Sequence, residues 1–338
     1  MNAKTFAKWM RLQGRKVIRT RSSYWYNAGP RVFQAFPLHW LIQPSRREMN
    51  ALMIRHSVAA VRYSKPLDAT EGIASYHAVL NGPYNLEMLR HQARNGVRKG
   101  LKHFQIERIS FNRLADEGWK LQQDTLERQD RTSSMNQSDW QRICLAADGL
   151  PGFEAWGAIV DGELAASMLT SQIDNIWYIP YAQSSRKFLS KHVNNALFFT
   201  VSCELLSRNG ITGLFFCLHS LDAPPSVDDF KWRMNYIAKP VRQQVEFHPL
   251  LSPIANYSSH SLLLQLLERY PGSHVLSKAE GMLRFYLEGK KPLNEQEWPE
   301  CLCEYQLEWE KVHGRGSATK DKNLREPVDI QWVAKREV

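Results

Sequence analysis

A cysteine and a histidine stand two residues apart at the end of an apolar run, Phe215-Phe-Cys-Leu-His219. In a strand, Cys217 and His219 share a face, so a thiol nucleophile with a base beside it is one chemistry on offer. A packed core cysteine in a Phe-rich strand is the competing account. His219 alone could deprotonate an incoming amine. Further on, Asp228 and Asp229 could orient a cationic amine or cap a short helix. Arg94 and Arg98, on the basic stretch Leu89-Arg-His-Gln-Ala-Arg-Asn-Gly-Val-Arg98, could touch an anionic donor or acceptor, or stay solvated on an outer helix face. GxSxG, a Walker A loop, HExxH and a Rossmann GxGxxG are all absent from the sequence.

These residues need elements to hold them. Val58–Tyr63 and Ile73–Leu80 alternate as strands, and Asn85 is placed to cap a basic helix over 86–102. From residue 104 the pattern predicts strand, two helices, a three-strand meander, a long helix from Val193 to Arg208, a buried strand over Ile211–His219, a short helix over Val227–Met234 and a strand over 236–247. Asp161-Gly162 reads as a hairpin turn, and Asn209-Gly210 as a helix C-cap. The order β-α-α-β-β-β-α-β-α-β implies a mixed sheet covered by helices, with right-handed crossovers where strands run parallel. The division expected is a basic arm over 1–22, a partial half over 23–102, a full domain over 103–250, and a helical extension with a mobile charged tail over 251–338.

The net charge of +10 is concentrated at the start, where the first 47 residues hold ten Lys and Arg and no acid. Such an arm suits a polyanion: an acidic membrane surface, RNA or a phosphorylated substrate. A solvated tail, or a transit peptide, would look the same, and Trp9 and Met10 among the charges would suit membrane-surface contact. No run of about 18 apolar residues is present, so the expectation is a cytoplasmic protein, with peripheral contact at the inner face of the membrane as an option. The five cysteines have no metal-ligand spacing and read as free thiols in a reducing compartment. No metal is expected.

The element order resembles the GNAT acyltransferase fold. The residues resemble its Fem-type branch, the aminoacyl transferases of cell-wall peptide synthesis, with related acyltransferases of exopolysaccharide and natural-product clusters. Three stretches carry the resemblance: the basic segment from Leu89 to Leu101, the meander, loop and helix from Phe153 to Arg208, and Asp229-Phe-Lys-Trp-Arg-Met-Asn235, similar to a Phe-Lys-x-x-x-Gly stretch of that branch. The likeness covers about residues 20 to 250 and implies tandem GNAT-like halves. Two departures stand out. The loop Gln183-Ser-Ser-Arg-Lys-Phe-Leu-Ser-Lys191 has no glycine, where CoA-using relatives carry a Gly-rich phosphate cradle. Asn235 stands where the branch has glycine.

The resemblance implies roles. Lys231 would stabilise the oxyanion or a leaving phosphate, with Phe230 burying part of its stem, and His219 would take the amine proton. Arg186, Lys187 and Lys191 would replace the missing loop amides on the donor phosphate, with Asn194 and Asn195 at the start of the long helix bonding the donor or capping. Tyr178, Tyr181, Asp229, Arg94 and Arg98 would face the substrates. Tyr178 shares a side with Trp156 only if the strand register agrees. The donor would be acyl-CoA or aminoacyl-tRNA, and the acceptor an amine of a cell-envelope, polysaccharide or peptide precursor. The alternative is a non-catalytic, degenerate GNAT-fold module that binds an anionic polymer or membrane surface. A scaffold for polysaccharide assembly is a third reading.

Overall fold

Side-chain caps decide where several helices begin. In the computed structural model, which describes residues 2–129, 135–220 and 226–313, Asn2, Ser45 and Ser110 each accept a hydrogen bond from a backbone N–H in the first turn that follows. Asn136 and Asp139 form a reciprocal capping box, so Asn136 starts that helix. Asn85 caps only the 3-10 turn Leu86–Met88. The chain then extends at Leu89, which is buried, and the helix proper starts after Arg90.

In chain order the first elements are α1 (Ala3–Leu12), β1 (Val17–Arg19), β2 (Tyr24–Gly29), β3 (Val32–Phe36), α2 (Arg46–His56), β4 (Ala60–Lys65) and β5 (Ile73–Asn81). Next come α3 (His91–His103), β6 (Gln105–Ile109), α4 (Phe111–Arg128), α5 (Gln137–Leu145), β7 (Phe153–Val160), β8 (Glu163–Ile173) and β9 (Ile176–Ser184). The remainder is α6 (Val193–Leu206), β10 (Gly213–Leu218), α7 (Ser226–Arg233), β11 (Ile237–Phe247), α8 (Tyr257–Arg269), α9 (His274–Glu288) and α10 (Cys303–His313). The run Ala223-Pro-Pro-Ser226, which by composition predicts a loop, falls largely outside the described residues, and so does the charged tail beyond 313.

Two compact units result. One holds the residues up to Val17 together with 78–237, and the other holds 18–77 with the residues from 238 onward. In the first unit the strands lie in the order β10-β9-β8-β7-β6, parallel at β10–β9 and antiparallel elsewhere. One face packs on α6 through Trp156, Met168, Trp177, Leu197 and Val201. The other face is covered by α1, α4 and α5. Trp9 is 2% exposed, donates from Nε1 to the Ile143 carbonyl at 3.0 Å, and packs on Phe153. The first turns of the chain are therefore a docked helix and not a solvated arm. Phe6, Ala7, Trp9 and Met10 recur at helical spacing and bury, while Lys4, Lys8 and Arg11 stay exposed.

In the second unit the strand order is β1-β2-β3-β4-β11-β5. Trp25, Phe33, Met49, Leu52, Val61 and Tyr63 form an apolar core with α2. Arg62, on the adjacent face of β4, lies over the Phe285 ring of α9. Beside it runs a buried polar chain. Arg62 donates to Gln243 at 3.0 Å, Gln243 donates to the Ser64 hydroxyl at 2.6 Å, and that hydroxyl lies 2.8 Å from His77 Nε2.

Candidate active site

The first unit contains a local failure of strand pairing. β9 and β10 match over three rungs only, from Gly213 opposite Ile176 to Phe215 opposite Tyr178. β9 continues to Ser184 and β10 to Leu218, so the two parallel strands part beyond Phe215. The same stretch of β9 is bulged. Ser171 faces Tyr178 and Leu169 faces Tyr181, which places three steps on β9 against two on β8. Pro180 sits in the bulge, and having no N–H it cannot complete a ladder there.

Phe216 is the first β10 residue past the last paired rung, and it anchors an aromatic cluster on the α6 face. Its ring centroid lies 5.5 Å from Phe198 of α6 and 5.3 Å from Tyr236. Phe230 of α7 meets Phe198 edge-on at 5.0 Å. Lys231, 4% exposed, places Nζ 5.4 Å from the centre of the Phe216 ring. On α7 the residues Phe230, Lys231 and Met234 follow i, i+1, i+4 spacing and turn inward, while Asp229 and Arg233 are exposed. The end of α7 is tied down. Tyr84 donates its hydroxyl to the Met234 carbonyl at 2.9 Å, and Asn235 adopts the left-handed conformation (φ 66°) that the glycine of the resembled motif would take without strain. Burial raises the pKa of the Tyr236 hydroxyl, beside which Ser202 lies.

His219 follows β10 directly and is half-buried. Asn194 and Asn195 are half-buried in the first turn of α6, and Asn195 Nδ2 lies 3.5 Å from the Met234 sulfur. That turn is crowded. A Cβ on Gly100 of α3 would stand 2.6 Å from the His192 carbonyl oxygen, and one on Gly96 would stand 3.2 Å from His192 Nδ1. One flank of the start of α6 therefore belongs to α3.

The loop cations already have neighbours. The Arg186 backbone N–H donates to Asp124 at 2.6 Å and its guanidinium lies 3.7 Å from the same carboxylate. Lys187 pairs with Glu163 at 2.7 Å. Both side chains are 63% exposed, so these pairs contribute about 0–1 kcal/mol and open readily. Lys191 lies over the Phe188 ring. Arg94 donates to the Glu87 and Leu89 carbonyls, closing the turn before α3, while Arg98 is exposed on the outer face.

The sheet separates two other residues from this cluster. Tyr178 pairs through Ser171 with Phe153, whereas Trp156 pairs with Met168. Phe153 and Trp156 are three positions apart, so Tyr178 and Trp156 lie on opposite faces. Tyr178 packs with Phe6 and Phe215 beneath α1. Tyr181 meets Trp140 of α5 edge-on, and burial raises the pKa of its phenol against the opposing pull of Arg15. Lys231, Phe230, Asn195 and their aromatic surround come together, and the two tyrosines do not join them. Phe216, Phe198 and Tyr236 were not anticipated as site residues. A proline inside an otherwise regular strand was the available signal for the bulge.

Among the described residues no group of three His, Cys, Asp or Glu side chains could hold a metal ion, and no helix is long and apolar enough to cross a membrane.

No protein-family model matches the chain, and no curated protein matches it in sequence. Solved structures do. FemX superposes with a TM-score of 0.52 at 12% identity, covering 75% of this chain and 94% of that one. L-PGS from Bacillus licheniformis gives 0.47 at 10% identity, covering 73% and 92%. A tandem GNAT protein from the clavulanic acid biosynthesis pathway gives 0.43 at 12%, covering 68% and 81%. At these identities the likeness concerns the fold. The chain has a mixed α/β, tandem GNAT-like fold of the FemX kind, in agreement with the resemblance noted in the sequence.

Proposed function

We propose that this chain is an N-acyl or aminoacyl transferase, acting on an amine of a cell-envelope, polysaccharide or peptide precursor at the cleft where β9 and β10 part. One observation carries the reading: the buried ammonium of Lys231 stands beside Phe216, the first β10 residue past the last paired rung. The FemX-like fold supports it, as does the Phe230-Lys231 resemblance.

In this reading a neutral amine attacks the donor carbonyl. A C–N bond forms and the donor's thioester or ester bond breaks, while the amine proton passes by way of His219 to the leaving group. Lys231 faces the oxygen on which negative charge develops, or a leaving phosphate. Its charge acts strongly because the ammonium is buried beside the Phe198, Phe216, Phe230 and Tyr236 cluster, where little water screens it. Asn194 and Asn195 are placed to hold the donor at the start of α6, with Arg186, Lys187 and Lys191 as releasable cations nearby. The absence of glycine from the loop before α6 supports an aminoacyl ester such as aminoacyl-tRNA over a CoA thioester, whose pyrophosphate is cradled by the amides of a Gly-rich loop in the resembled CoA-using enzymes.

The test is a transfer assay. Purified protein receives labelled aminoacyl-tRNA in one arm and acyl-CoA in the other, with small peptide and amino-sugar amines as acceptors. Label is expected to move to an amine from the aminoacyl-tRNA arm, and Lys231→Met to slow that step by roughly 10²–10³-fold. Full turnover in Lys231→Met would remove the lysine from the chemistry. No turnover with any donor, together with salt-sensitive binding to anionic polymers, would favour the non-catalytic module.

A further inference from the structure

The outward side of α7 offers a second feature that the transfer chemistry does not use. Arg90, just before α3, and Asp229, Trp232 and Arg233 of α7 line an open depression of about 410 Å³. That volume falls in the range of roughly 300–1,000 Å³ typical of small-ligand sites. Arg233 Nε is held by the Asp229 carbonyl at 3.2 Å, which fixes the guanidinium beside the depression. Among the described residues, the Arg90 guanidinium and the terminal nitrogens of Arg233 have no partner. Trp232 is half-buried, packing partly against the apolar core and lining the depression as well. Asp229 is exposed in the same wall.

The Arg90 guanidinium and the open terminal edge of the Arg233 guanidinium present planar forks that match a phosphate better than a lone cation does. A tryptophan held on one side by the core is a pre-ordered surface for a planar ring. The Asp229 carboxylate repels a densely anionic ligand and accepts hydrogen bonds from hydroxyl or amino groups. One phosphate, one planar ring and hydroxyl donors between them describe a nucleoside monophosphate.

We propose that this depression binds a nucleotide unit, with its phosphate between Arg90 and Arg233, its base against Trp232 and its sugar hydroxyls toward Asp229. The assignment is independent of the transfer reaction, since Lys231 turns to the opposite side of the helix.

The experiment is calorimetric titration of the full chain with adenosine 5′-monophosphate, ribose 5-phosphate and inorganic phosphate at one fixed low salt concentration. The nucleotide is expected to bind roughly tenfold or more tighter than ribose 5-phosphate, a gap due to stacking. Trp232→Leu should close the gap and Trp232→Phe should keep most of it. Arg90→Gln with Arg233→Gln should weaken the nucleotide and ribose 5-phosphate together by tenfold or more. Equal binding of all three probes, no binding, or an unchanged affinity in the arginine double variant would overturn the proposal. A twelve-nucleotide single-stranded RNA that binds while the mononucleotide does not would also overturn it, in favour of an extended track. Lys231→Met should bind the nucleotide as the parent does, so loss of transfer and loss of this site are read separately.

Discussion

Gly100 of α3 lies so close to His192 that a Cβ added to it would stand 2.6 Å from the His192 carbonyl oxygen. The obstacle is backbone at the entrance of α6, and it cannot rotate away. Gly100→Ala must therefore push α3 from α6. We expect a loss of about 1–3 kcal/mol in denaturant unfolding and a matching loss of any activity seated at the first turn of α6. Gly272, with open space around its Cβ position, is the control, and Gly272→Ala should change stability by less than about 0.5 kcal/mol. Equal effects at the two positions would show that the close approach does not matter.

The Tyr84 hydroxyl ties the end of α7 through the Met234 carbonyl. Tyr84→Phe keeps the ring and removes only the bond, leaving a buried carbonyl short of one donor. The expected cost is about 1–2 kcal/mol. Because α7 carries Lys231, the rate of transfer should fall more than donor binding does. A variant with parental rate and stability would show that α7 does not need the tether.

Trp9 joins the first helix to the body of its unit by burial and by its bond to Ile143. Trp9→Ala should cost about 3–5 kcal/mol. Lys4→Glu with Lys8→Glu, on the exposed side, should leave stability nearly unchanged and reduce binding to anionic vesicles or RNA if the basic helix meets a polyanion. A stable Trp9→Ala protein would mean that α1 is dispensable for the fold.

His39 and His77 are buried among positive neighbours. Burial, then His77 and Lys239, hold His39 well below its ordinary pKa. Burial, then Lys239 and Arg62, lower His77 to about 3. The folded protein keeps both imidazoles neutral, whereas the unfolded chain takes up protons near pH 6.5. Their contribution is thus complete above about pH 6.5 and is lost as pH falls below it, for His77 down toward about 3. Between pH 7 and pH 5, above most carboxylate titration, unfolding free energy should drop by roughly 2 kcal/mol for His77, with His39 adding to the drop in the same direction. His39→Gln with His77→Gln should flatten that slope. The same slope in the double variant would place the titrating groups elsewhere.

Much of the local structure was legible from local chemistry. The helix that starts at Val193 and the meander turn at Asp161-Gly162 depend on residues within a few positions of one another. The inward turn of Lys231 follows from its spacing with Phe230 and Met234. The order of elements from residue 104, which carried the GNAT resemblance, needed nothing more. Tertiary structure decided the rest. An extra residue at Ile179-Pro180 sets which face Tyr178 shares, and a bulge position depends on the partner strand, which periodicity within β9 does not register. The charges of the first residues left a polyanion-binding arm and a solvated tail both open, because the small apolar stripe of that helix finds its partners in α5, β7 and β9, more than 100 residues away in sequence. The Gly96 and Gly100 face of α3 has meaning only once α6 lies against it. Propensity and spacing act over one or two turns of chain, whereas register and close packing are settled between segments that meet only in the fold.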